Sequence, residues 1–151
     1  MLHVYIDADG CPVKEEVYRV AGRHKLPITL VANKAIKIPN DPSVKMVVVK
    51  GNFDAADDWI VENVQKNDIV ITADILLAER CVKKEARVVG HKGLEFTEEN
   101  IGSLVASREL MQHLRQLGEG GNSSRPLEGK DKSEFLQTLE RVIQSLKRLK
   151  V

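Results

Sequence analysis

Aromatic residues make up only 4% of this 151-residue chain: one Trp, two Tyr and three Phe. Trp59 and Tyr18 are too sparse a pair for the aromatic platform on which many proteins stack single-stranded nucleic acid. Cysteine is equally scarce. Cys11 and Cys81 give neither a disulfide framework nor a zinc pattern, so a reduced, cytoplasmic protein is expected. There is no excess of one charge: the formal net charge is +1, and a nucleic-acid partner would need a local basic patch. No hydrophobic run is long enough to span a membrane, and Asp7 arrives too early for a signal peptide. What remains, 42% hydrophobic and 30% charged residues, describes one soluble globular domain over residues 1–151 with a substantial core.

Apolar runs alternate with helical periodicity through the first ninety residues. Leu2–Ile6, Pro27–Ala32, Val44–Val49, Asp68–Thr72 and Ala86–Val89 read as buried strands. Helices are expected after Pro12, over Asp54–Gln65 and over Ala73–Glu85. This alternation predicts an α/β domain with a mostly parallel sheet between helical layers. Beyond Gly93 the pattern changes to one or two helices from Thr97, a Gly/Asn/Ser/Pro-rich loop over 118–130, and a C-terminal helix over 131–150. From Arg125 to Val151 the chain carries seven Lys/Arg against four Asp/Glu.

The main functional signal is acidic. The first strand runs directly into Asp7-Ala8-Asp9-Gly10. In open α/β sheets, ligands bind outside the carboxyl ends of the strands. Asp9, beside Gly10, also fits a turn role. A second cluster is Asp54, Asp57 and Asp58. On a wheel of roughly 100° per residue, Asp57 falls between Val61 and Val64 on the inward face, where a carboxylate must be paired or bind a metal. Asp54 suits an N-cap and Asp58 the helix dipole. A third acid, Asp74, follows the apolar strand that ends in Thr72, and alone it reads as an N-cap. Acids gathered at one edge repel unless a cation neutralises them. Oxygen-only ligands favour Mg²⁺ or Mn²⁺, and hydrolysis of a phosphate ester or diester is the chemistry such a metal best serves.

These motifs resemble the YaiI/YqxD family of uncharacterised bacterial proteins, which has a PIN-like fold. The resemblance rests on Asp7-Ala-Asp9-x-Cys11-Pro12, Val31-Ala-Asn33, Phe53-Asp54-x-x-Asp57 and Asp68-x-Val-Ile-Thr72-x-Asp74-Ile-x-Leu77-Ala78. It implies a three-layer α/β/α PIN-like domain in which clustered acids bind Mg²⁺ or Mn²⁺ and activate water against a phosphodiester, usually in RNA. By position, Asp7, Asp57 and Asp74 take the catalytic roles, with Asp9 and Asp54 as further metal ligands. The chain also departs from these patterns. Where PIN domains often carry a further acid, it reads Gly90-His91-Lys92-Gly93, and Lys92 replaces an Arg that would fork onto phosphate. The family's Gly-Gly-Pro in the later loop is altered to Gly120-Gly121-Asn122.

Lys14 and Asn33 are expected at the mouth of the acidic cleft, with Thr72 beside Asp74. An anionic RNA or other phosphodiester substrate needs cations around the acids, and Lys92, Arg108 and Arg115 are the candidates. Arg108 and Arg115, seven residues apart, share one helical face. Cys11 and the four histidines read as packing or surface residues, His91 being the least clear. Two other readings stand beside the nuclease. One is a non-catalytic RNA-binding or scaffolding protein with a vestigial acidic site. The other is a haloacid-dehalogenase-like phosphatase with Asp7 as nucleophile and Asp9 as acid/base; its order is wrong, because the acidic pair Asp57-Asp58 precedes the Thr72 strand.

Overall fold

The computed structural model describes residues 2–52, 54–116 and 127–149. Chain order is β1 (Val4–Asp7), α1 (Lys14–Arg23), β2 (Ile28–Ala32), β3 (Val44–Val48), α2 (Ala55–Asn63), β4 (Ile69–Ile71), α3 (Ile75–Lys83), β5 (Arg87–Val89), β6 (Glu95–Phe96), α4 (Glu98–Gln116) and α5 (Gly129–Arg148). The six strands form one sheet in the order β3-β2-β1-β4-β5-β6. All neighbours pair in parallel except β5 and β6. Buried β-branched runs such as Ile69-Val70-Ile71 suit a sheet covered on both faces.

Successive side chains of a strand point to opposite faces. Val4 and Ile6 of β1 therefore join the core beneath α1 and α5, with Val17, Val20, Phe135 and Leu139. Tyr5 joins the opposite core beneath α2, α3 and α4, with Ile60, Leu77, Cys81 and Ile101. The result is a three-layer α/β/α domain. By the same alternation, Asp7 faces the α2/α3 side. Central β1 has β2 on one flank and β4 on the other, so the connections leave it in opposite directions; this is the switch point where open α/β sheets bind ligands.

Several expected bounds shift. The antiparallel β6 lies where no strand was expected. The region after Thr97 is one helix as far as Gln116. Helix α1 starts at Lys14, so Pro12 sits in the preceding turn. Of the loop expected over 118–130, residues 118–126 lie outside the described residues, and Gly129 and Lys130 already belong to α5. Gly93 in the β5–β6 turn holds φ +92°, and a Cβ there would come within 2.8 Å of the Glu134 backbone. Only glycine allows this turn to press on α5, and Thr138 Oγ1 fastens it by donating to the Gly93 carbonyl at 2.7 Å. Both thiols are free and buried, and burial pushes Cys81 up to about 12. No described helix is long and apolar enough to cross a membrane.

Candidate functional site

At the carboxyl edge of β1, half-buried Asp7 is oriented from below by Thr72, which leaves β4. The Thr72 hydroxyl donates to Asp7 Oδ2 at 2.8 Å and accepts the Asp74 backbone N–H at 3.0 Å. Asp74 is the N-cap of α3: its Oδ1 accepts from the backbone of Leu76 at 2.9 Å and Leu77 at 3.2 Å. The bland role of Asp74 is thus real, and it occupies one oxygen of two. Asp9 likewise commits Oδ2 to the Asn33 backbone N–H, at 2.9 Å. Asp7, Asp9 and Asp74 each keep a second carboxylate oxygen without a hydrogen bond among the described residues. Asp54 stands at the N-cap position of α2, but its backbone is already helical and its side chain makes no cap bond. The expectation of a capping Asp54 is therefore corrected, and its carboxylate makes no hydrogen bond among the described residues.

These acids line one open cavity of about 560 Å³. Six aspartates border it, Asp7, Asp9, Asp54, Asp57, Asp58 and Asp74, against two cations, Arg80 and Arg108. Asn33 and Asn52 border it from the ends of β2 and β3. The concentration of charge is visible in Asp57. Partial burial raises its carboxyl from 3.8 to about 6, helped by the negative charges of Asp7, Asp74 and Asp54 and opposed by Arg80. The Asp7 carboxyl is also raised, first by burial and then by Asp74 and Asp9, against the lowering effect of the Thr72 hydrogen bond.

Not every expected site residue meets this cavity. Asn33 and Arg108 line it. Thr72 is fully buried beneath it and positions Asp7, so a direct substrate contact is corrected to a supporting one. Lys14 donates to the Cys11 carbonyl at 3.0 Å and does not line the acidic mouth. Lys92 borders a separate, apolar cavity. Arg115 lies in α4, but its side chain is outside the described residues. Sequence reasoning missed Asn52 and Arg80. Arg80 pairs with Asp58 at 3.0 Å, a contact across α2 and α3 that no local spacing announces.

Fold and site define a doubly wound α/β protein with an acidic cavity at its topological switch point. Residues 5–145 match the family described as Uncharacterized BCR, YaiI/YqxD family, and the chain belongs to that family. It is similar to a UPF0178 protein of Rhodospirillum centenum, 49% identical over 98% of this chain and 99% of the relative. Similar proteins from Agrobacterium fabrum (49% identical, covering 96% of this chain and 95% of the relative) and Rhizobium meliloti (48%, 96% and 99%) carry the same UPF0178 name. No solved structure matches the chain.

Proposed function

We propose that this chain is a metal-dependent phosphodiesterase of PIN type that hydrolyses RNA in the reducing cytoplasm. The observation that carries the reading is the set of aspartates from β1, α2 and the β4–α3 turn on one cavity, several with a carboxylate oxygen to spare. The donor chemistry fits a hard cation, since every acidic donor is an oxygen. Among the described residues, no three His, Cys, Asp or Glu side chains stand close enough to hold one ion by themselves. That suits Mg²⁺, which keeps several waters and commonly takes one or two carboxylates plus substrate phosphate. Asp7 and Asp74 are the residues to hold it, with Asp9 and Asp54 as outer ligands. When bound, Mg²⁺ or Mn²⁺ supplies charge neutralisation and a more acidic water.

The protein's own groups do the rest. Thr72 fixes the Asp7 carboxylate through Oδ2 and leaves its other oxygen without a hydrogen bond among the described residues. Asp57, titrating near 6, takes up a proton from water at its carboxylate. Arg108, which has no ion-pair partner among the described residues, offers a cation to the substrate phosphate. The test is a panel of RNA, DNA and p-nitrophenyl phosphate with Mn²⁺, on the parent and on Asp7→Asn. The expected result is RNA cleavage that falls by about 100-fold or more in the variant. Turnover of p-nitrophenyl phosphate alone would replace the reading with a small-molecule phosphatase. RNA binding without turnover would replace it with a non-catalytic binding protein.

A further inference from the structure

Six aspartates repel any phosphate that approaches them, and Arg80, one of the two cations on their cavity, is already paired with Asp58. Arg108 borders the cavity from α4. The opposite end is bordered by Asn33 and Asn52, which follow β2 and β3. Each has a lysine close by in the chain: Lys34 follows Asn33, and Lys50 precedes Asn52 by two residues. The strand register brings these lysines out together. Ala32 pairs with Val48, the Val49 backbone N–H donates to the Ala32 carbonyl at 2.9 Å, and Lys34 and Lys50 lie just past that last rung. Both are exposed, and neither makes a hydrogen bond or ion pair among the described residues. The charge around them is one-sided. Residues 33–52 hold four lysines and a single acid, Asp41, whose Oδ1 accepts from the Ser43 backbone N–H and hydroxyl, each at 2.8 Å. Lysines along an edge strand often serve only to block strand pairing. Lys45, inside β3, fits that role, whereas Lys34 and Lys50 stand beyond the ladder and guard no strand.

We propose that Lys34 and Lys50 form a second phosphate-binding position for the substrate strand, at the β2/β3 end of the acidic cavity. The proposal rests on the phosphodiesterase reading of that cavity and deepens it, because it makes the substrate a polymer. Neighbouring strands lie about 4.8 Å apart, so the three intervals from β3 to β4 separate the ends that carry Asn52 and Asp74 by about 14 Å. That span is wider than one phosphate group, and consecutive phosphates of a strand cover it. The RNA then crosses the aspartates from the lysines toward Arg108, with the bond to be cut over Asp7 and Asp74. Cations on both flanks offset the repulsion by the acids and leave the metal ligands themselves free of competing positive charge. Lysine ammonium groups are compact charges with rotatable donors, and they accept phosphates over a range of positions. Contacts of this kind position a strand without reading its bases. Recognition is therefore by strand length rather than by sequence.

The experiment is fluorescence anisotropy of a labelled single-stranded RNA of about eight nucleotides, and its displacement by an unlabelled dinucleotide, at roughly 50 and 200 mM salt with Ca²⁺ as the cation. The longer RNA is expected to bind about tenfold or more tightly than the dinucleotide. Lys34→Gln/Lys50→Gln should remove most of that advantage. It should also flatten the dependence of log K on log salt by about 1.4, the share of two phosphate contacts on a single strand. Lys45→Gln/Lys66→Gln removes the same charge from the amino ends of β3 and β4, and it should leave both quantities at their parental values. An equal loss in the two double variants would mean diffuse attraction to a positive surface and would overturn the position. An unchanged Lys34→Gln/Lys50→Gln protein, or no advantage of length in the parent, would overturn it too. RNA cleavage by the parent together with unchanged binding in that variant would remove the lysines and keep the phosphodiesterase reading. Lysine-dependent binding with no cleavage by the parent in Mn²⁺ would overturn the phosphodiesterase reading and keep the lysines.

Discussion

Beneath α1 and α5, the sheet is sealed by Phe135, Leu139, Val142, Ile143 and Leu146, all essentially inaccessible to solvent. Beneath α2, α3 and α4 the cover is thinner: α2 buries only Ala56 and Ile60, and Leu104 and Val105 of α4 stay half-buried. The acids open on this second side. The difference has a physical reading. Dense apolar packing on one face supplies stability that lets the other face carry carboxylates crowded at a cost, the usual tension between stability and activity. The comparison yields three expectations of decreasing size.

The largest effect should come from the sealed face. Leu139→Ala removes a fully buried side chain from between α5 and the sheet, and about 2–5 kcal/mol of stability should go with it. Half-buried Leu104→Ala on the thinner face should cost less than about 2 kcal/mol. Urea unfolding of the two variants measures both, and equal costs would break the contrast between the faces.

The second effect has the opposite sign. Asp57 titrates at about 6 in the folded chain against an ordinary 3.8. Between those values the folded state binds more protons than the unfolded one, so this group's contribution falls as pH rises through the window. Below the window the carboxyl is protonated in both states and costs nothing. Asp57 remains partly open to water, which screens the effect to about 1 kcal/mol or less. Asp57→Asn should therefore stabilise the protein by up to about 1 kcal/mol at neutral pH and leave it unchanged near pH 3. Mn²⁺ should narrow the neutral-pH gap, because a cation held by Asp7 and Asp74 offsets the negative charge that Asp57 feels in the parent and that an Asn there does not. Chemical denaturation at the two pH values, with and without Mn²⁺, reads all three terms; a less stable Asn variant at neutral pH would mean that the crowding is not felt.

Much of this arrangement was legible in the residues. Apolar runs placed the five parallel strands, and helical spacing put Asp57 on the inward side of α2, where it lines the cavity. Two kinds of feature were not legible. Strand β6 is two residues long and antiparallel, too short for any periodicity, and it exists because the Gly93 turn folds it back onto β5. The cations were misjudged for a different reason. Lys14 closely follows the first acids and Lys92 follows the fifth strand, but one is tied to the Cys11 carbonyl and the other flanks the apolar cavity. Arg80 reaches the site from the last turn of α3, which depends on how α3 packs beside α2 rather than on any motif. Thr72 was rightly placed next to Asp7 and Asp74, yet its burial, which makes it a support for Asp7, follows only from the pairing of β4 with β1.

The smallest stability change, and the sharpest test of the acidic face, is at Arg80. Its pair with Asp58 at 3.0 Å joins two exposed side chains, 44% and 53% accessible. Exposed ion pairs contribute little, so Arg80→Gln should alter stability by no more than about 0.5 kcal/mol. Its electrical consequence should still be readable. Arg80 is the cation that holds the Asp57 carboxyl down against Asp7, Asp74 and Asp54. Removing it takes away the positive charge that opposes those acids at Asp57 and leaves Asp58 without this partner, so Asp57 should titrate above its parental value. The carboxyl carbon shift of Asp57, followed by NMR across pH, measures this directly. Added salt should shrink the difference between parent and variant, because charges partly open to solvent are screened. An unmoved Asp57 titration at low salt would mean that its raised value comes from burial alone, and the acidic face would then lack the charge crowding that sets it apart from the sealed one.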